Sequence, residues 1–347
     1  MTRHLFCAAT LATLLLLQAH TPAAALNPGP DDVYIRVVDG GSGLCTITSV
    51  PGPHFMIYDA GHWQGSHCIN AVREILGSNT TIDLMVISHT DADHLGQADD
   101  ILAEYVVRRI IRVGQERDTT AWGHWNDAVA EETKTGASVM NLQSMPLVPG
   151  TEIPLGEATI TLVAGWPNWT EPGPDASEKL NAVSIVIRLE YAGGSVLFTG
   201  DTVGRRKKDT DTACKDAEKA MVDNAAAVPL KSDVLLAPHH GGDNGSSACF
   251  IQAVDPEFVV FSAGHSHDHP TADAAGRYLA RGVPLANMFR TDLGDDESAN
   301  DTPTTEREWD HGRIPGCSDQ RGDEDVDIVL RAGGMAEVEY RNASGGC

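Results

Sequence analysis

Apolar residues fall along this chain in short runs, and each run stops at a polar residue able to bind a metal or carry a proton. The run 33–38 stops at Asp39, 54–58 at Asp59 and 84–87 at Ser88-His89. Further on, 196–198 leads to Thr199-Gly200-Asp201, 234–237 to Pro238-His239-His240, and 258–261 to Ser262-Ala263-Gly264. Runs of this kind predict strands. In α/β proteins functional groups gather at the C-terminal ends of strands, where loops vary over a rigid sheet. The segments 158–163 and 183–189 alternate and read as strands with one buried face. Leu95, Ala98, Ile101, Leu102 and Tyr105 keep helical spacing, as do Ala274, Tyr278 and Leu279.

Residues 293–327, rich in Asp, Glu, Gly, Pro and Thr, predict an exposed acidic loop, with a final strand at 325–330 or 336–340. Trp122, Trp125, Trp166 and Trp169 fall in polar or Pro-rich connections, as a lid over the site or as local packing anchors.

The densest chemistry is His89-Thr90-Asp91-Ala92-Asp93-His94, four potential metal ligands in one turn directly after a strand. Two aspartates this close do not comfortably both ionise without a cation between them.

At 347 residues, with 41% hydrophobic and 21% charged content, the chain is globular, and disorder throughout is excluded. Arg3 and His4, an apolar stretch too short to span a bilayer, and Thr21-Pro22-Ala23-Ala24-Ala25 predict a signal peptide over 1–25, cut after Ala25. No linker divides 26–347, which reads as one domain of a secreted protein without stable membrane association. The net charge of −24 repels polyanions, so a nucleic acid would need a local basic patch. Arg205-Arg206-Lys207-Lys208, joined by Arg108, Arg109, Arg112 and Arg117, would have to supply it. Cys7 leaves with the signal peptide, and six cysteines in an exported protein suggest disulfides.

Asp59, the His-x-Asp-x-Asp-His cluster, Thr-Gly-Asp at 199–201 and a late histidine together resemble the metallo-β-lactamase superfamily. More narrowly, the run from Ser88 to Gly96, Asn181-Ala182-Val183-Ser184, 197–201, Pro238-His239-His240-Gly241 and His269-Pro270 look like the hydrolase domain of the ComEC competence proteins and their secreted relatives. The likeness runs from about Val33 to Thr291 and takes in Phe289-Arg290-Thr291-Asp292. It implies an α/β fold, a four-layer αββα sandwich with the site at one edge.

Carried over by that resemblance, one divalent cation, Zn2+ or Mn2+, takes His89, Asp91 and Asp201. A second takes Asp93, His94, Asp201 and one of His239 or His240, one only because adjacent residues of an extended segment point oppositely, with His240 preferred and His239 beside it. A hydroxide bridging the two ions is the expected nucleophile. Asp93, His239 and His269 are the catalytic candidates, the free histidine or His269 protonating the leaving group. Asp59 orients a ligand from behind, and Asn181 and Ser184 stand behind the ligands or against the substrate. Asp91 and Asn181 stand where relatives of the lactamase and glyoxalase types carry histidine, which hardens the first site and makes manganese plausible.

The resemblance implies a phosphodiester substrate: a nucleotide, a small phosphodiester or a single-stranded nucleic acid. Lactone or carboxylic ester hydrolysis is the alternative, and a non-catalytic metal-binding module the alternative of another class. No protein partner is expected. Neighbourhood in the order of the motifs pairs Cys45 with Cys68, Cys214 with Cys249 and Cys317 with Cys347. His265 and His267 read as loop residues, His62, His67, His124 and His311 as surface, Asp39 as a turn former or a group near the metals, and Asn244 as the start of a glycosylation sequon.

Overall fold

The apolar runs become strands because both of their faces are covered. The computed structural model describes residues 26–171, 174–264, 267–294, 308–312 and 324–341. The strands are β1 (Val33–Val37), β2 (Cys45–Val50), β3 (His54–Ala60), β4 (Thr81–Ile82), β5 (Leu84–Ile87), β6 (Val106–Val107), β7 (Arg109–Arg112) and β8 (Ser138–Asn141) in the first half. The second half holds β9 (Glu152–Leu155), β10 (Ala158–Ala164), β11 (Val186–Tyr191), β12 (Gly194–Phe198), β13 (Val234–Leu236), β14 (Phe258–Phe261), β15 (Met288–Arg290), β16 (Val326–Leu330) and β17 (Ala336–Tyr340). The helices are α1 (His67–Leu76), α2 (Ala92–Leu95), α3 (Ala98–Glu104), α4 (Thr120–Thr135), α5 (Ala176–Ala182), α6 (Asp216–Asn224), α7 (Ala248–Val254) and α8 (Ala272–Ala280).

One large sheet runs β17-β16-β1-β2-β3-β5-β7-β8 and the other β15-β14-β13-β12-β11-β10-β9. Ile35, Tyr58, Val86, Ile160, Leu189, Val196 and Leu236 meet between the sheets in one core. The intervening residues turn outward. Met85 and Ile87 join a second core with residues of α1, α3 and α4, and Leu235 and Val259 a third with residues of α6, α7 and α8. Residue-by-residue alternation between two buried faces gives four layers, helices outside and sheets within, as the αββα expectation has it. Tyr58 ties the sheets together, its hydroxyl donating to the Ile185 carbonyl at 2.7 Å.

Strands β3, β5, β7 and β8 run parallel, and so do β12, β13, β14 and β15, which aims their C-terminal ends at common edges. Three expectations change. The helix expected from Leu95 to Tyr105 divides into α2 and α3 at Gln97, whose backbone (φ −117°, ψ 15°) leaves the helical region, while Gly96 stays helical and lets the Trp63 backbone approach, since a Cβ there would come 2.2 Å from its nitrogen. Trp122 and Trp125 lie on α4, and Trp125 is core beneath the sheet, so neither sits in a connection. Within 293–327, Glu308 and Trp309 are buried against Arg290, and Val326 and Asp327 already belong to β16. Both proposed final strands form, paired as a hairpin on β1.

Disulfides join Cys45 to Cys68 and Cys214 to Cys249. Cys317 and Cys347, the segment 1–25 and His265 lie outside the described residues. Among the described residues no helix is long and apolar enough to cross a membrane. The Cys45–Cys68 bridge closes a separation of 23 residues, and loop-closure entropy alone makes it worth about 3 kcal/mol. A Cys45→Ser, Cys68→Ser double variant is therefore expected to unfold at a lower denaturant midpoint, with a slope no shallower because the freed denatured chain is less compact; an unchanged midpoint would contradict this.

Candidate metal centre

Each functional side chain lies at or just past the C-terminal end of a strand. Asp59 lies in β3 near its C-terminus, His89 to His94 follow β5, Asp201 follows β12, and His239 and His240 follow β13. The backbone at the two histidines corrects the extended-segment expectation. His239 (φ 50°, ψ 50°) and His240 (φ 54°, ψ 14°) are successive left-handed residues in a tight turn. Consecutive residues in that conformation need not point oppositely, and both imidazoles face Asp201. Left-handed backbone is unfavourable for residues with a Cβ, so the surrounding structure must hold this turn.

Arg205 and Arg277 help to hold it. Both donate to the Asp243 carboxylate and to its carbonyl, and Arg277 also reaches the carbonyls of Gly245 and Ser246. The basic run at 205–208 is thus no substrate face at its first two positions. Arg205 is buried against Asp243, and Arg206 pairs with Asp216 and Glu178.

Two ligand sets share Asp201. Its Oδ1 lies 3.1 Å from His94 Nε2 and 3.5 Å from His240 Nε2, and Asp93 Oδ2 completes the set at 3.9 and 3.6 Å from those nitrogens. Its Oδ2 lies 3.7 Å from both His89 Nε2 and His239 Nε2, while Asp91 Oδ2 is 3.6 Å from His89 Nε2. Ligands at about 2.1 Å in a tetrahedron stand about 3.4 Å apart. The first set brackets that spacing, and Asp93, His94 and His240 lie mutually within 4.8 Å, as do His89, His94 and Asp201; Asp91 and His239 stand at the margin of the second set, each close to one of its members. His89 Nε2 and Asp201 Oδ1 are buried with no hydrogen-bond partner among the described residues. Buried polar atoms so placed are costly unless an ion meets them.

The hydrogen bonds behind the imidazoles prepare them for this. His94 Nδ1 lies 2.8 Å from Asp59 Oδ2 and His240 Nδ1 2.6 Å from the Ser262 carbonyl, and both partners only accept. His239 Nδ1 lies 2.6 Å from Asn244 Oδ1. Ser88 Oγ donates to Asp59 Oδ2 at 2.7 Å and therefore accepts from His89 Nδ1 at 3.0 Å. In their neutral form all four rings are thereby set to hold the proton on Nδ1 and turn a bare Nε2 to Asp201, the tautomer a metal requires; without metal, and against the burial that would lower it, the carboxylates of Asp201, Asp59 and Asp93 raise His94 well above the ordinary imidazole value. Ser88, Asn244 and the Ser262 carbonyl were not among the site residues expected from sequence, although Ser88 and Ser262 each stand at the end of an apolar run.

Electrostatics follow. Burial alone would raise the Asp201 carboxyl, but the imidazoles of His94, His240, His239 and His89 hold it well below the usual carboxylate range. Asp93 is likewise lowered against its burial by His94 and His240. Burial and the neighbouring rings of His239, His240 and His267 keep His269 well below the ordinary imidazole value.

The other expected residues are near. Ser184 Oγ accepts from the Asp201 backbone N–H at 3.1 Å, and Asn181 Nδ2 is 3.2 Å from His239 Nε2. His269 lies one ring further out, 5.5 Å from His239 and 6.3 Å from His240 between centroids. Asp39 acts as a turn former, its Oδ1 accepting from the Gly41 N–H at 3.2 Å. His267 is exposed, as its loop reading has it.

A family model for the metallo-beta-lactamase superfamily matches residues 54–265. The chain is 36% identical over 115 residues to competence protein ComA of Neisseria gonorrhoeae, covering 33% of this chain and 14% of that protein. It is 25% identical over 199 residues to ComE operon protein 3 of Bacillus subtilis (strain 168), covering 54% of this chain and 21% of that protein. The chain thus spans only a small part of the length of these curated relatives. Among solved structures, the metallo-beta-lactamase fold protein YhfI from Bacillus subtilis aligns with a TM-score of 0.44 at 11% identity, covering 74% of this chain and 95% of that one.

Proposed function

The chain belongs to the metallo-beta-lactamase superfamily, and from that premise we propose that it hydrolyses phosphodiester bonds with two divalent cations, zinc or manganese. The observation that carries this reading is Asp201, whose two oxygens each face two imidazoles at 3.1 to 3.7 Å. We assign His89, Asp91, Asp201 and His239 to one cation and Asp93, His94, Asp201 and His240 to the other. His239 thereby becomes a ligand, where the sequence left it to proton transfer.

Cations in these positions would supply Lewis acidity and bring the pKa of a water near neutrality. The chain's own residues do the rest. Asp59, Ser88, Asn244 and the Ser262 carbonyl lock the imidazoles, and Ser184 fixes the backbone of Asp201. Asp93 and His239 lie where the centre opens, and Asn181, buried beside His239, is assigned to the substrate. His269, held neutral, meets the leaving group as an N–H donor.

A small or single-stranded phosphodiester suits the site better than duplex nucleic acid. The chain is acidic, and the two arginines of the basic run are spent in ion pairs. The two disulfides and the segment 1–25 favour secretion after cleavage near Ala25.

Purified protein is expected to carry near two metals per chain by elemental analysis. Its hydrolysis of bis-p-nitrophenyl phosphate should vanish on chelation and return with manganese or zinc. Turnover of a lactone without turnover of the diester would move the reading to ester hydrolysis. Metal without turnover of either would leave a metal-binding module.

A further inference from the structure

The centre is open on one side only. His89, His94 and Asp59 are sealed, whereas the side chains of Asp91, Asp93, His239 and Arg117 are each exposed by 22% to 27%. Arg117, in the connection between β7 and α4, is the single cation in this ring among the described residues. Its Nη1 lies 2.8 Å from Asp91 Oδ1, the oxygen turned away from His89. The contact is an ion pair without hydrogen-bond alignment, because Nη1 and Asp91 Oδ1 both lack a hydrogen-bond partner among the described residues. Of the other arginines expected to gather here, Arg108 pairs with Asp83, Arg112 reaches Asn126 from a buried position, and Arg205 lies beneath the His239 turn.

We propose that Arg117 binds a negatively charged non-bridging oxygen of the substrate at the Asp91 side of the centre, and so selects anionic phosphodiesters over neutral esters. A guanidinium offers five N–H donors in a planar fork matched to phosphoryl oxygens, and a single ion pair with Asp91 leaves donors for a ligand. In a chain of net charge −24 such a local cation is what lets an anion approach. The inference deepens the phosphodiesterase reading and rests on it for the identity of the substrate, though the binding of an oxyanion at Arg117 can be measured without turnover.

The test compares Arg117→Ala and Arg117→Lys with the unmodified full-length, metal-loaded protein. Three quantities are read: the ratio of kcat/KM for bis-p-nitrophenyl phosphate to that for neutral p-nitrophenyl acetate, the calorimetric affinity for inorganic phosphate, and metal content. In Arg117→Ala the ratio and the phosphate affinity should each fall about tenfold, the scale of a lost charge-assisted hydrogen bond. Arg117→Lys should recover part of both, since it keeps the charge and loses the fork.

Equal losses on the two substrates with reduced metal would mean that Arg117 only positions Asp91, and would overturn the proposal. So would an unchanged ratio with unchanged phosphate affinity. If the unmodified protein turns over no phosphodiester, the phosphodiesterase reading fails by itself, and phosphate affinity decides Arg117 alone: a tenfold loss in Arg117→Ala keeps the oxyanion site, and no loss removes it.

Discussion

Asp201→Asn is expected to reduce hydrolysis by at least about 10³-fold and metal content from two per chain to one or none. Among the described residues Asp201 is the only carboxylate placed with an oxygen toward each ligand set, so its loss removes a donor from both cations and a charge from between them. A 10³-fold loss corresponds to about 4 kcal/mol of transition-state stabilisation, the scale on which metal catalysis operates. The fold should survive. In metal-free protein a buried carboxylate surrounded by imidazoles is replaced by a neutral group of the same shape, and the Asp201 backbone contact with Ser184 remains. Thermal melting with and without added metal separates the outcomes. Metal should raise the melting temperature of the unmodified protein by mass action and leave the variant nearly unmoved. A variant that still bound two metals and turned over substrate would remove Asp201 from the centre.

The second large effect lies one layer behind the ligands. Asp59 is fully buried in left-handed backbone (φ 58°), and its carboxylate accepts from the Ser88 N–H at 2.6 Å, the Ser88 hydroxyl at 2.7 Å and His94 Nδ1 at 2.8 Å. Asp59→Ala leaves these donors without an acceptor and is expected to cost about 3 kcal/mol of stability. Asp59→Asn divides the role. Its carbonyl oxygen still receives the Ser88 N–H, but its amide then faces His94 Nδ1 as a donor. That favours the other tautomer of His94, with a hydrogen on Nε2 pointing at Asp201. Metal affinity should fall about 10 to 100-fold with a much smaller loss of stability. Competition with a chromogenic chelator, beside urea unfolding of both variants, reads the two effects separately. Equal metal affinity in Asp59→Asn and the unmodified protein would show that the tautomer does not limit binding.

Much of the centre was legible along the chain, for a local reason. A parallel strand covered on both faces is a short apolar run, and its C-terminal end is where the polar residue appears, so Asp59, His89, Asp201 and His240 could be picked out one strand at a time. His89, Asp91, Asp93 and His94 lie within a single turn, so their joint purpose was legible as well. The two disulfides in the described residues also follow neighbourhood along the chain. What was misread depended on contacts between distant segments. Trp125 is core because α4 folds back onto the first sheet, and Arg205 is buried because the 238–245 turn settles over it. Ser262 and Asn244 matter through one carbonyl and one amide oxygen aimed at particular ring nitrogens.

The sequence by itself determined the layered α/β class, the strand ends that carry ligands and the donor types offered to a metal, since these follow from periodicity and residue chemistry. Only the tertiary structure decided that His239 and His240 face Asp201 together, that the partners behind four imidazoles set one tautomer, and that Arg117 meets Asp91 at the opening. Backbone dihedrals in a turn and hydrogen bonds across tens of residues set those features, and neither leaves a periodic trace in the order of amino acids.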